Sequence, residues 1–167
     1  MAGGRGTRFW PLSRSHRPKQ LLKILGRKSL IRQTAERILP FFGWRNTLVV
    51  TVAEHSRALR AELPFISTRN FIVEPQGNNT APCIGLAALE LVKRDPEAVM
   101  VMLPADHWVS QPRAFLRTIR AAVRLARERD ALVTIGIRPG LPETGYGYIL
   151  KGPKIKRQSG ASCFRVR

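Results

Sequence analysis

Four short runs rich in β-branched and other apolar residues punctuate the chain: TLVVTVA at 47–53, NFIVEP at 70–75, AVMVMLPAD at 98–106 and ALVTIGI at 131–137. Between them lie segments whose apolar residues recur at helical spacing. This alternation limits the fold more than any other feature, because strands separated by helices form βαβ units with a mostly parallel sheet. In SLIRQTAERIL (29–39) Leu30, Ile31, Thr34, Ala35, Ile38 and Leu39 share one stripe, with Ser29 as an N-cap and Pro40 as a stop. EHSRALRAEL predicts a second helix. APCIGLAALELVKR (81–94) predicts a third, with Pro82 early, where its missing N–H costs little. PRAFLRTIRAAVRLARER predicts a long amphipathic fourth. AVMVMLPAD is the most apolar run and predicts a central strand. PGLPETGYGYI reads as a loop entering an antiparallel strand, and KGPKIKRQSGASCFRVR as the start of a strand left unfinished. The expected division is one domain over 1–152, with 153–167 opening a further part of it.

At 167 residues there is room for one domain with a real core. Apolar content of 44% with 24% charged residues fits a globular chain. No apolar run reaches bilayer length, so no membrane partner is expected. Met1 is followed by Ala, Gly and Arg rather than an apolar stretch, so a cytoplasmic location is expected. Cys83 and Cys163 lack metal-type spacing and read as reduced thiols. The net charge of +18 raises a nucleic-acid reading. The arginines are spread over every segment, however, with no zinc-finger spacing or RNP-type aromatic strand, so no specific nucleic-acid partner is expected. A basic surface still favours anionic small substrates and non-specific polyanion binding.

Ligands of parallel sheets gather beyond the carboxyl ends of the strands, which directs attention to the loops. The opening MAGGRGTRFWPLSRSHRPK is neither a P-loop nor a G-x-G-x-x-G fingerprint, since Phe9 stands where the third glycine belongs. It is a glycine turn that lets backbone N–H groups approach an anion, followed by Arg8 and by Lys19 next to Pro18. Arginine grips phosphate oxygens bidentately, and lysine supplies a compact charge. Asp106 closes the most apolar run; a carboxylate there needs hydration, pairing or metal, or serves as a turn or cap residue. His107 fits a turn residue at least as well as a supporting one. In QGNNTAP, Asn78, Asn79 and Thr80 offer donors and acceptors for a base and ribose, or equally a helix cap. In PETGYGYI, Gly145 and Gly147 permit close approach of a sugar, Glu143 accepts from hydroxyls and Tyr146 packs on a ring. A turn into an edge strand accounts about equally well for Tyr148.

GGRGTRFWPLSRSHRPKQLL closely resembles the signature of sugar-nucleotide pyrophosphorylases, and FWPLSR resembles their mannose-1-phosphate guanylyltransferase branch. EPQGNNTAPCIGLAAL (74–89), LPADHWV (103–109) and PETGYGYI (142–149) follow in the family's order, so the resemblance runs to about Gly152. It implies an α/β, Rossmann-like mostly parallel sheet flanked by helices on both faces, and a nucleotidyltransferase joining GTP and mannose 1-phosphate into GDP-mannose and pyrophosphate. It implies Mg²⁺ on Asp106, with Arg8, Lys19 and Asp106 as catalytic groups. It further implies a nucleotide held by Ala2, Gly3, Gly4, Gly6, Thr7, Glu74, Pro75, Asn79 and Thr80, and a sugar beside Glu143, Gly145 and Tyr146. A homo-oligomer is compatible with it.

Relatives begin with an apolar strand ahead of the glycine loop, whereas only Met1 and Ala2 precede Gly3 here. The family's downstream Glu-Lys-Pro lysine and second metal aspartate have no counterpart. The expectation is therefore an N-terminal part, short at both ends. The alternative function is a catalytically incomplete fragment that binds GTP or a nucleotide sugar as a regulatory or assembly subunit.

Overall fold

The computed structural model describes residues 1–2, 9–14, 18–24, 26–77, 79–158 and 161–167, with the side chains of 156–158 outside that description. Two compact units divide at Ser110, Met1–Ser110 and Gln111–Arg167.

In the first unit, helix α1 (Leu30–Phe42) buries Leu30, Ile31, Thr34 and Ala35, the stripe its sequence predicts. Buried Ser29 caps it, its Oγ accepting from the Arg32 N–H at 3.2 Å and donating to Glu62 at 2.7 Å. Pro40 does not stop the helix; it lies in the last turn, and Gly43 at φ 72° ends it. Pro40 forgoes one helical N–H bond and crowds the carbonyl four residues back, a local cost that the helix absorbs, and glycine takes the positive φ without a Cβ clash. Strand β1 (Val49–Val52) pairs in parallel with β2 (Phe71–Glu74), with helix α2 (Ala53–Glu62) between them in the chain. Helix α3 (Thr80–Arg94) follows β2.

Alternating strand residues face two separate cores. Val49 and Phe71 join Ile31 and Ala35 of α1, Leu59 of α2 and Leu63 just after it. Val50 joins Cys83 and Ala87 of α3, with Ile72, Met100 and Met102 packed around them. Helices therefore cover both faces, as the βαβ reading requires.

The chain's opening residues extend this sheet. The Ala2 N–H donates to Val50 O at 2.8 Å, and its carbonyl accepts from Thr51 Oγ1 at 3.4 Å. Met1 N donates to Leu103 O, and Ala105 N–H donates back to Met1 O, both at 3.1 Å. That exchange is the pattern of a parallel ladder, and it sets the order β2, β1, Met1–Ala2, 103–105.

Two expected strands do not form. AVMVMLPAD (98–106) forms no regular strand: Ala98 N–H makes a local turn bond to Asp95 O, and only Leu103 and Ala105 bond a distant backbone segment among the described residues, while Met100–Leu103 stay half-buried. ALVTIGI (131–137) is irregular, with Leu132 and Ile137 exposed. Apolarity alone does not make a strand; a ladder of N–H and C=O partners does.

In the second unit, α4 (Pro112–Arg129) buries Ile119, Ala121 and Leu125. PETGYGYI is a loop and leads into an antiparallel strand, as its sequence predicts. That strand, β3 (Lys151–Gln158), pairs with a second, β4 (Ala161–Val166), so the tail holds two paired strands, which corrects the unfinished-strand expectation. The sequence places Ser and Gly, both turn-forming residue types, between the two strands, a signal that a strand-only reading passes over. Among the described residues no helix is long and apolar enough to cross a membrane.

Buried Asn70 ties the first unit together. Its Nδ2 donates to the carbonyls of Trp44, Arg45 and Thr47 at 3.0–3.2 Å, and its Oδ1 accepts from Arg94 at 3.0 Å. Asn70→Ala would take this donor from the Thr47 carbonyl in the buried region and cost about 1–3 kcal/mol. Urea unfolding should show that loss as a lower midpoint with an unchanged slope.

Candidate functional site

Because the segments are parallel, their carboxyl ends share one edge. Glu74 ends β2, the chain leaves Ala2 for the glycine loop, and Asp106 follows Ala105, so all three exits lie there. Lys19 reaches the same edge from a one-turn 3₁₀ helix, Lys19–Leu21. Pro18 and Gln20 flank it, both nearly completely buried, so the backbone under the lysine is anchored on either side.

The Lys19 ammonium pairs with the Asp106 carboxylate across the edge. Both side chains are partly buried, 25% and 19% exposed. Burial by itself would raise the Asp106 pKa; the Lys19 hydrogen bond and charge, with the His107 charge behind them, overcome it and hold the carboxyl below its ordinary value. Arg37 of α1 steadies the same turn from another side, its Nη2 donating to His107 O at 3.2 Å. Burial lowers the Arg37 pKa from its usual very high value. Sequence reasoning misses Arg37. Its only signal in the sequence is that it is one of two arginines, Arg32 and Arg37, on α1.

Of the remaining predicted residues, Glu74 is buried at the end of β2, while Pro75, Asn79 and Thr80 are exposed beyond it. Asn79 occupies the N-cap position of α3 at φ 65° and ψ −156° and makes no capping side-chain bond; Thr80 is the first helical residue rather than the cap. That backbone conformation is costly for any residue but glycine, and such strain clusters where ligands are gripped. Ala2 is buried, with its N–H committed to Val50. Gly3, Gly4, Gly6, Thr7 and Arg8 lie outside the described residues, as does Asn78.

The predicted sugar loop belongs to the second unit. Glu143 Oε1 accepts the Gly145 N–H at 2.9 Å. Tyr148, whose role the sequence leaves open, closes the loop. Its hydroxyl accepts from the Glu143 N–H at 2.8 Å and donates to Glu143 O at 2.9 Å. Tyr146 is 69% exposed.

Asp106 suits Mg²⁺, which takes one or two carboxylates and completes its shell with substrate phosphates and water. Among the described residues no three His, Cys, Asp or Glu side chains gather into an all-protein metal cage.

The sequence pattern of the family described as Nucleotidyl transferase matches residues 1–160. The chain is similar to a mannose-1-phosphate guanylyltransferase of Escherichia coli, 41% identical over 93% of this chain and 33% of that protein. It is similar to the alginate biosynthesis protein AlgA of Pseudomonas aeruginosa, 37% identical over 97% of this chain and 34% of that protein. The chain thus spans about a third of the length of these relatives. A crystal structure described as mannose-1-phosphate geranyltransferase from Thermus thermophilus superposes with a TM-score of 0.82 at 36% identity, over 90% of this chain and 44% of that one.

Lys19→Met removes the charge that keeps Asp106 ionised, so its carboxyl pKa should rise in a carbon-detected NMR titration. A carboxyl lowered in the folded state stabilises the fold above its unfolded pKa of about 3.9 and loses that contribution as pH falls through the folded value. Unfolding midpoints measured from about pH 5 downward should therefore drop less steeply in Lys19→Met than in the parent.

Proposed function

This chain belongs to the nucleotidyl transferase family, and on that premise we propose that it carries the nucleotide-handling part of an enzyme joining GTP to mannose 1-phosphate. The sugar and base follow the relatives' names and the FWPLSR and NNTAP segments. One observation carries the reading: a lysine and an aspartate 87 positions apart meet at the carboxyl edge of the parallel array, where the chain leaves for the glycine loop.

The reaction is an in-line displacement. A phosphate oxygen of mannose 1-phosphate forms a bond to the α-phosphorus of GTP, and the bond from that phosphorus to the bridging oxygen breaks, releasing pyrophosphate. Asp106 would hold Mg²⁺, which when bound neutralises charge on the phosphates. Lys19 and Arg8 are assigned to the outer phosphates. Asn79 and Thr80, with Glu74 and Pro75, surround the nucleoside, and Glu143, Gly145 and Tyr146 meet the sugar. The protein's own work is positioning and charge stabilisation. A cytoplasmic setting and a homo-oligomer accord with this reading.

The same pair makes ligand binding conditional. Triphosphate alone must draw Lys19 from Asp106 and leave a partly buried carboxylate unpaired; the cation alone must strand the ammonium. A ligand bringing both charges replaces the pair without stranding either. Calorimetry should show GTP binding at least tenfold more tightly with Mg²⁺ than with EDTA, and Asp106→Asn should erase that difference. Equal affinity in both buffers would remove the pair from the ligand site.

In a turnover-competent form, Lys19→Met should lower pyrophosphate release by about 10²–10³-fold. If the chain binds Mg²⁺–GTP but releases no pyrophosphate with mannose 1-phosphate, the binding-subunit reading replaces the catalytic one.

A further inference from the structure

Helix α4 carries Arg113, Arg117, Arg120, Arg124 and Arg127, all exposed. The spacings are four, three, four and three, so all five lie within about 40° of one line along the helix. The line runs about 21 Å, with a cation at every turn. Ile119 and Leu125, each about 120° from that line, are buried, as is Ala121 on its flank. Glu128, in the last turn, is the helix's sole acid. It stands four residues from Arg124, and no acid of the helix stands three or four residues from Arg113, Arg117 or Arg120.

A helix face that merely meets water usually mixes signs, so that residues three and four apart attract. Here each member of the stripe has its stripe neighbours in like charge, five guanidinium groups against one carboxylate at the end. The hairpin in the same unit adds exposed Lys151, Lys154, Arg165 and Arg167. Residues 111–167 hold thirteen Lys and Arg against three acids.

We propose that the arginine stripe of α4 is a sequence-independent binding surface for a linear phosphate polyanion. The planar guanidinium fork engages two oxygens of one phosphate, and a row of forks at regular intervals suits a regular chain of phosphates. The five residues are flanked by no exposed aromatic on α4 that could stack a base, so the contacts are to phosphate and carry no base readout. The stripe shares no residue with the triphosphate site and does not rest on the catalytic reading. Single-stranded RNA and inorganic polyphosphate both supply this chemistry, and the experiment separates them.

The test is fluorescence anisotropy of the full chain with labelled oligo-uridine across a salt series, in saturating Mg²⁺–GTP to keep the nucleotide site out of play. Inorganic polyphosphate and polyglutamate are competitors. Arg117→Glu with Arg124→Glu should weaken binding at least tenfold. It should also reduce the magnitude of the log–log salt slope by about 1.4, the value for two lost single-strand phosphate contacts. The same variant, free of ligand, should melt no lower than the parent. Four like-charge neighbour pairs of the stripe become attractive, against one pair, Arg124 with Glu128, that becomes alike. Should it fail to fold, Arg117→Gln with Arg124→Gln reads the same slope. Competition by inorganic polyphosphate assigns the surface to phosphate in general, and its failure with RNA still bound narrows the ligand to RNA. An unchanged affinity and slope in the variants would overturn the proposal, as would polyglutamate competing as well as polyphosphate.

Discussion

Met1 and Ala2 hold the first unit in register. One residue exchanges hydrogen bonds with Leu103 and Ala105, and the next bonds to Val50 and Thr51. Through these contacts the segment ending at Asp106 lies parallel to β1 and hence to β2. The sharing of one edge by Asp106, Glu74 and the exit toward the glycine loop is a consequence. Each contact is an ordinary hydrogen bond worth about 0.5–1.5 kcal/mol net, yet together they fix which end of every segment faces the ligand. Direction is what a parallel array supplies and what local propensity does not.

On that edge the electrostatics work by substitution. Burial alone would favour a neutral carboxyl at Asp106, and the lysine reverses that preference. A pair of this kind contributes modestly to stability while intact and is costly to break from one side. Its members are each provided for in the ligand-bound state, the carboxylate by a cation and the ammonium by phosphate. Arg37 bonds the backbone carbonyl of His107, so it steadies the turn that carries the aspartate.

The helices are legible in the sequence because their evidence is local. The stripe of α1, its Ser29 cap and the early Pro82 of α3 each need only a dozen residues of context. β1 and β2 are legible for the same reason, at the cost of a residue or two at each end. The segments at 98–106 and 131–137 mislead because their apolar content is real while long-range pairing reaches only Leu103 and Ala105 in the first and, among the described residues, no part of the second. Pairing is a property of neighbours distant in sequence, and periodicity carries no information about it. The tail errs in the opposite sense: a basic, weakly apolar stretch forms a hairpin through its ladder. At the site, Lys19 and Asp106 are legible as chemistry, but their meeting is not, since 87 residues separate them. Arg37 and Asn70 escape a reading of the sequence, and Tyr148 stays ambiguous in it, because each acts on backbone groups. A side chain that bonds a carbonyl leaves no spacing to read.

Charge shows the same division between what is local and what is not. The total of +18 states only that the surface is basic. In the first unit that charge is interrupted by pairs such as Arg32 with Glu36 and Arg94 with Glu90, four residues apart and 3.0 Å between heavy atoms, so α1 and α3 each settle part of their own field. Along α4 a single acid stands at one end, and the stripe runs three turns before reaching it. Two helices with several basic residues thus differ in kind. In α3, Arg94 bonds Glu90 one turn back and Asn70, while in α4 five arginines follow one another along a single line of the helix. Net charge cannot distinguish these cases; the order of residues around the helix does.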